Sequence, residues 1–156
     1  MDPSEPDNTA QQASDNRPKR DEIFYFRDVV FLVDGVLFKV PRRNFEENSE
    51  VFWTMYTLPP VAGVPDGSDD EHPLLLERIS AEDFRCLLRI MFAPKYSDNQ
   101  ELSLDEWTAV LRLASMWQFT QIRDLVIDVL DQSISEPISR IMLARKYSIT
   151  EWLIPR

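Results

Sequence analysis

Asp34-Gly35 stands between two compact apolar runs, Val29-Val30-Phe31-Leu32-Val33 and Val36-Leu37-Phe38-Lys39-Val40. A two-residue type I′ turn needs positive φ at both central positions, and Asp-Gly adopts it readily. The segment Val29 to Pro41 therefore predicts a β-hairpin. Pro41 has no N–H to give the ladder, so it ends the second strand.

Behind the hairpin the apolar period changes from two to between three and four. Residues 42 to 58 read as helical, with Phe45, Ser49, Phe52 and Tyr56 on one face, Ser49 as a candidate internal N-cap, and Leu58-Pro59-Pro60 as the stop. Residues 61 to 73 hold Gly63, Pro65, Gly67, Pro73 and an acidic run, and read as an exposed loop. Leu74-Leu75-Leu76 is a short buried-strand candidate. Four helices follow. Ser80 with Asp83 opens the first, Phe84, Leu87, Leu88 and Met91 form its stripe, and Pro94 ends it. Ser103 with Glu106 is a capping box for the second, with Leu104, Trp107, Val110, Leu111, Ala114 and Trp117 sharing a face. Thr120 caps the third, with Ile122, Leu125, Val126, Val129 and Leu130 inward. Ser135 caps the fourth, with Pro137 in the first turn and Ile138, Ile141, Met142 and Tyr147 inward. The expected fold is α+β, a small three-stranded sheet (the hairpin plus one short strand) packed against five or six helices.

Residues 1 to 22 are rich in Pro, Asp, Asn, Gln and Ser and lack any aromatic residue, so they predict a disordered polar tail before an ordered domain over 23–156. Within the tail, Arg17-Pro18-Lys19-Arg20 has the composition of a nuclear import signal, although a chance basic step in a solvated tail carries more weight. The N-terminus lacks the apolar run of a signal peptide, and no stretch approaches the roughly 20 apolar residues that cross a bilayer. The expected setting is intracellular, with cytoplasm and nucleus not distinguished. The net charge of -10 repels phosphate backbones and anionic headgroups, which weighs against nucleic-acid and membrane partners.

The groups that catalysis needs are sparse. The one histidine, His72, lies in the acidic loop between Glu71 and Pro73, where nothing rigid orients it. The one cysteine, Cys86, sits beside Leu87 in a helical pattern and reads as a small buried hydrophobe. One Cys and one His fall short of a structural zinc site, and Asp66 to Glu71 lacks the ligand alternation of an EF-hand loop. Three glycines form no phosphate-cradling pattern. No catalytic, cofactor-binding or metal residue is assigned, and no cofactor or small-molecule ligand is expected. Trp107 and Trp117 read as core. Trp53, beside the inward face of its helix, and the cluster Phe24-Tyr25-Phe26 read as partner contacts.

Taken in order, several pieces resemble a BTB/POZ domain, and most closely the expanded BTB-domain family of mushroom-forming fungi. They are Asp28 to Val33, Leu37 to Pro41, Ser49-Glu50-Val51-Phe52, Ile79 to Phe84 and Leu87-Leu88. Further along come Trp107, Leu111, Ala114 to Trp117, Ile122-Arg123, Leu143 to Tyr147 and Glu151-Trp152-Leu153. The resemblance spans roughly residues 24 to 156. It implies a non-catalytic protein-interaction module with no cofactor. BTB domains commonly form homodimers, and some act as adaptors that recruit a cullin-type ubiquitin ligase scaffold. Dimeric members usually carry an amphipathic helix before the first strand, where this chain has only Asp21 to Arg27. Ligase-recruiting members often carry an apolar-x-Glu motif after the pair that Met55-Tyr56 resembles, where this chain has Thr57-Leu58-Pro59-Pro60. Relatives continue into further helix beyond Ile154-Pro155-Arg156, the pattern of a C-terminal truncation. The expected function is protein–protein interaction, including self-association, with the cullin adaptor as the alternative and an enzyme with an unrecognised site as the more remote one. The expected contact residues are Phe24, Tyr25, Phe26, Phe45 and Trp53.

Overall fold

The computed structural model describes residues 16–59, 63, 65–93 and 102–153. Most of the polar tail, Pro60, Pro94, part of the 61–73 loop and Ile154 to Arg156 lie outside the described residues. Strands β1 (Asp28–Val33) and β2 (Val36–Pro41) pair antiparallel, with Val33 opposite Val36 and Asp28 opposite Pro41. Between them Asp34 and Gly35 have φ of 49° and 75°, the pair of positive values that a type I′ turn requires. Strand β3 (Leu74–Leu76) adds to the other side of β1 in parallel, giving the order β2-β1-β3. As the central strand, β1 buries Val29, Val30, Phe31 and Val33, whereas β2 at the edge leaves Val36, Leu37 and Lys39 exposed.

The span 42–58 forms two helices rather than one, α1 (Arg42–Asn48) and α2 (Glu50–Thr57). Ser49 is the break. Its backbone is extended at φ -127° and ψ 121°, and its hydroxyl accepts from the Phe52 amide at 3.2 Å. The same hydroxyl donates to the Trp117 carbonyl far along the chain, so one buried serine both caps α2 and ties it to the helical layer. This kink turns Phe45 and Phe52 into the same space, where their rings lie 5.0 Å apart.

The helical layer continues with α3 (Ala81–Met91), α4 (Leu104–Met116), α5 (Thr120–Ser133) and α6 (Pro137–Lys146), then a 3-10 turn at Thr150–Trp152. Ser80 accepts from the Asp83 amide, and Ser103 with Glu106 makes both bonds of a capping box. The expected caps at Thr120 and Ser135 are corrected: Phe119 and Glu136 hold those N-cap positions without a side-chain bond to the backbone, and Thr120 is the first residue of α5. Pro137 occupies the first turn of α6, where its missing N–H costs nothing. Helix α3 ends at Met91, ahead of Pro94.

Phe31 sits at the centre of the core, with Phe45, Phe52 and Phe84 ring centroids at 4.9, 5.8 and 5.4 Å. Phe119 and Trp117 extend the cluster toward α4 and α5. Such tilted and edge-on pairs add about 0.5–1.5 kcal/mol each beyond the area they bury. Val110, Leu111, Leu113, Val126, Ile127 and Leu130 complete the interior. Several residues expected to face inward do not. Leu104, Leu125, Ile138, Ile141 and Met142 are exposed, and Ala144 is the one buried residue of α6. Helix α6 is held largely by polar contacts instead. Arg140 pairs with Asp131 of α5 and donates to the Asp131 and Ile134 carbonyls, and Arg123 donates to the Tyr147 carbonyl at 2.8 Å.

Candidate protein-interaction surface

The segment before β1 is shaped by one carboxylate. Asp21 accepts from the backbone amides of Phe24, at 2.7 Å, and Ile23, at 3.0 Å. Those two bonds, the Phe24 amide first, hold its carboxyl below the ordinary range. The turn brings Phe24 and Phe26 edge to face at 6.4 Å and leaves Ile23, Phe24, Tyr25 and Phe26 all exposed, Phe24 to 71%. Four consecutive apolar residues in that state form a surface patch that the other described residues leave exposed.

Cations frame the patch. Arg20 lies over the Tyr25 ring at 4.7 Å, and Arg43 of α1 lies over Phe26 at 4.9 Å. The Arg42 amide donates to the Arg27 carbonyl at 2.8 Å, fixing the arm against the start of α1. Each cation–ring contact at such an exposed position contributes about 0.5–1 kcal/mol, enough to orient the arm without covering it. Arg42 and Arg43 also pair with Glu46 and Glu47 one turn on. Arg42 stacks over Tyr56 at 3.9 Å. The buried Tyr56 hydroxyl has no hydrogen-bond partner among the described residues, and burial pushes it up to about 12 despite the opposing charge of Arg42.

Two shallow open grooves join here. One, of about 510 Å³, runs between Ile23, Tyr25, Phe26 and Arg27 on the arm and Arg42 and Arg43 on α1. The other, of about 450 Å³, runs from Glu46 and Glu47 past Ser49 to Trp53, Gln118 and Gln121. Glu46 and Glu47 line both, so the arm and Trp53 lie along one band. Trp53 is 58% exposed.

Of the expected contact residues, Phe24, Tyr25, Phe26 and Trp53 are at the surface, and Phe45 is not. Phe45 is 0% exposed and packs against Phe31, Phe52 and Phe119, so its place on a partner surface is corrected to the core. Its helix turns that face inward because the Ser49 break closes α1 over the sheet. Ile23 and the arginines 20, 42 and 43 belong to the surface and were missed. For Ile23 and Arg20 the signal was present, since a cation flanking an aromatic run is a recognition pattern in its own right, whereas Arg42 and Arg43 reach the run only through the fold.

Elsewhere the polar groups are arranged structurally. The Cys86 thiol is buried and donates to Glu106 at 3.3 Å, and burial first and this carboxylate second push it up to about 11. His72 Nδ1 lies 2.8 Å from Asp69 Oδ1 on the exposed loop, and this bond holds the Asp69 carboxyl below its ordinary range. Among the described residues, no group of three or more His, Cys, Asp or Glu side chains is placed to hold a metal, and no helix is long and apolar enough to cross a membrane.

A three-stranded sheet under a helical layer, with shallow grooves and an uncovered aromatic patch, defines a protein-interaction module. Residues 19–134 match the BTB/POZ domain family, and the chain belongs to that family. BTB domains are generally interaction modules rather than enzymes, and many dimerise. No curated protein matches the chain at a significant level.

Proposed function

We propose that this chain is a self-associating BTB/POZ interaction domain of the type expanded in mushroom-forming fungi, and that Phe24, Tyr25, Phe26 and Trp53 form its contact band. The observation that carries the reading is the run Ile23 to Phe26, apolar throughout and exposed throughout. Aromatic anchors beside arginines are the composition of interface hot spots, and their burial by a partner supplies the driving force that their own chain does not. The ordered domain spans residues 23–156, with 1–22 as a polar tail, and it acts inside the cell.

The adaptor alternative draws less support. Helix α2 ends at Thr57 and Leu58-Pro59-Pro60 follows, without the glutamate that ligase-recruiting relatives often carry there. A pulldown with the cullin scaffold is expected to return none of it. Light scattering of the full chain across micromolar concentrations tests the main reading. Mass rising toward twice that of the chain is the expected result, and a strict monomer overturns self-association.

A further inference from the structure

Trp53 stands apart from the other three tryptophans. Trp107, Trp117 and Trp152 pack against the core cluster, whereas Trp53 lies outside it and is exposed. Trp117 meets the Phe52 and Phe84 rings, and Trp152 lies under Arg140. Among the described residues, no ring and no cation is placed on the Trp53 indole. Indole is the side chain whose face attracts a cation most strongly, so this one is an unused cation acceptor.

The groove of about 450 Å³ that Trp53 lines has one sign of side-chain charge. Glu46, Glu47 and Glu50 line it, and among the described residues no lysine, arginine or histidine does. Arg42 and Arg43 pair with Glu46 and Glu47 from one turn back on α1, whereas Glu50 is exposed and has no ion pair among the described residues. The same groove also carries donors. Phe119, the N-cap of α5, makes no side-chain bond to the backbone, and the first turn of α5 holds no acidic residue. The first-turn amides of Thr120 and Gln121, two residues of the lining, therefore have no acceptor among the described residues. Helix α2 differs in this respect, because Ser49 caps it.

These features select a ligand by its chemistry. Three carboxylates repel an anion, so the acceptor that the α5 amides need is a neutral one. The indole and Glu50 call for a cation. An extended peptide with a basic side chain supplies both, a cation at the side chain and carbonyl acceptors along the backbone. Arginine suits the site better than lysine, because a planar guanidinium stacks on an aromatic face while its fork of N–H groups donates to a carboxylate. We infer that this groove binds an arginine-bearing linear peptide of a partner protein, with the guanidinium over Trp53 and against Glu50 and the peptide backbone at the start of α5. The inference goes beyond self-association by adding a second class of partner. Where a second copy also reaches Trp53, the two compete for it.

A fluorescein-labelled synthetic peptide that alternates arginine and glycine tests this. It is titrated with the chain and read by fluorescence anisotropy. The wild type is expected to bind it saturably, and a peptide of the same length that alternates glutamate and glycine is expected not to bind. Trp53→Ala is expected to weaken binding about tenfold, the loss of one well-placed cation–ring contact. Glu50→Gln is expected to weaken it severalfold. Glu71→Gln removes the same charge from the acidic loop and is expected to leave binding unchanged. All three sites are exposed, and circular dichroism checks that each variant keeps the native fold. Trp53→Ala and Glu50→Gln variants that bind no more weakly than Glu71→Gln would show only general attraction to a chain of net charge -10, and would overturn the site. Absence of saturable binding to the wild type overturns it as well, and leaves self-association standing if the chain dimerises in light scattering. A chain that stays monomeric yet binds the peptide through Trp53 and Glu50 upholds the inference while self-association falls.

Discussion

Two residues carry constraints out of proportion to their size. Gly67 has φ of +87°, and a Cβ built on it would stand 2.8 Å from Val29 Cγ2. Gly35 also has positive φ, but a Cβ there meets nothing within 4 Å. Gly67→Ala therefore adds a clash with a core strand to the backbone strain, and it is expected to cost about 2–3 kcal/mol in urea unfolding, against about 1 kcal/mol for Gly35→Ala. Equal losses would show that the loop moves off Val29 freely. Cys86 is the second. Its thiol stands well above its ordinary value of 9.0, at about 11, because burial and Glu106 both disfavour the thiolate. A maleimide or disulfide reagent at pH 8 is expected to leave it unmodified in native protein and to label it fully in denaturant. Rapid native labelling would contradict the buried placement. The same shifts set a pH dependence. Cys86 and Tyr56 both have folded values above their unfolded ones, so the stability they protect is fully present below about pH 9. It declines as the pH rises through 9 to 12, where unfolding releases protons that folding retains. Equilibrium unfolding across that range is expected to show the fall.

At the scale of elements, the Ser49 break organises the molecule. It separates α1 from α2, caps α2 and reaches the Trp117 carbonyl. Ser49→Ala removes the cap and takes the hydroxyl donor from the part-buried Trp117 carbonyl. The expected loss is about 2 kcal/mol by denaturant unfolding, and a loss near zero would show that water takes the place of the hydroxyl. The elements whose signals are local were legible in the sequence. The Asp34-Gly35 turn, the Ser103–Glu106 box and the Phe84–Leu87 stripe each need only a few neighbouring residues to declare themselves. What the sequence did not reveal depends on tertiary partners. Phe45 reads as a surface aromatic until α1 closes over the sheet. Ile138 and Met142 read as core until Arg140 and Arg123 hold α6 by polar contacts with its apolar side outward. Within the contact band, the aromatic residues were legible because they are contiguous. The arginines that frame them come partly from α1, and their position follows only from the fold.

Across the whole molecule, the core and the surface divide the aromatic residues between two tasks. Phe31, Phe45, Phe52, Phe84 and Phe119 close one interior cluster that joins the sheet to the helices. Phe24, Tyr25, Phe26 and Trp53 are left outside, along two grooves that meet at Glu46 and Glu47. Membership of the BTB/POZ family gives this division a purpose, since such domains bind proteins. The outer aromatics contribute little to the fold of a single copy, so their loss is expected to leave thermal unfolding nearly unchanged while abolishing association. The most direct test compares the wild-type chain with Phe24→Ala/Tyr25→Ala/Phe26→Ala by sedimentation equilibrium over micromolar concentrations. The account predicts a wild type whose mass climbs toward twice that of the chain and a variant that stays monomeric with native circular dichroism. A variant that associates as tightly as the wild type would contradict it.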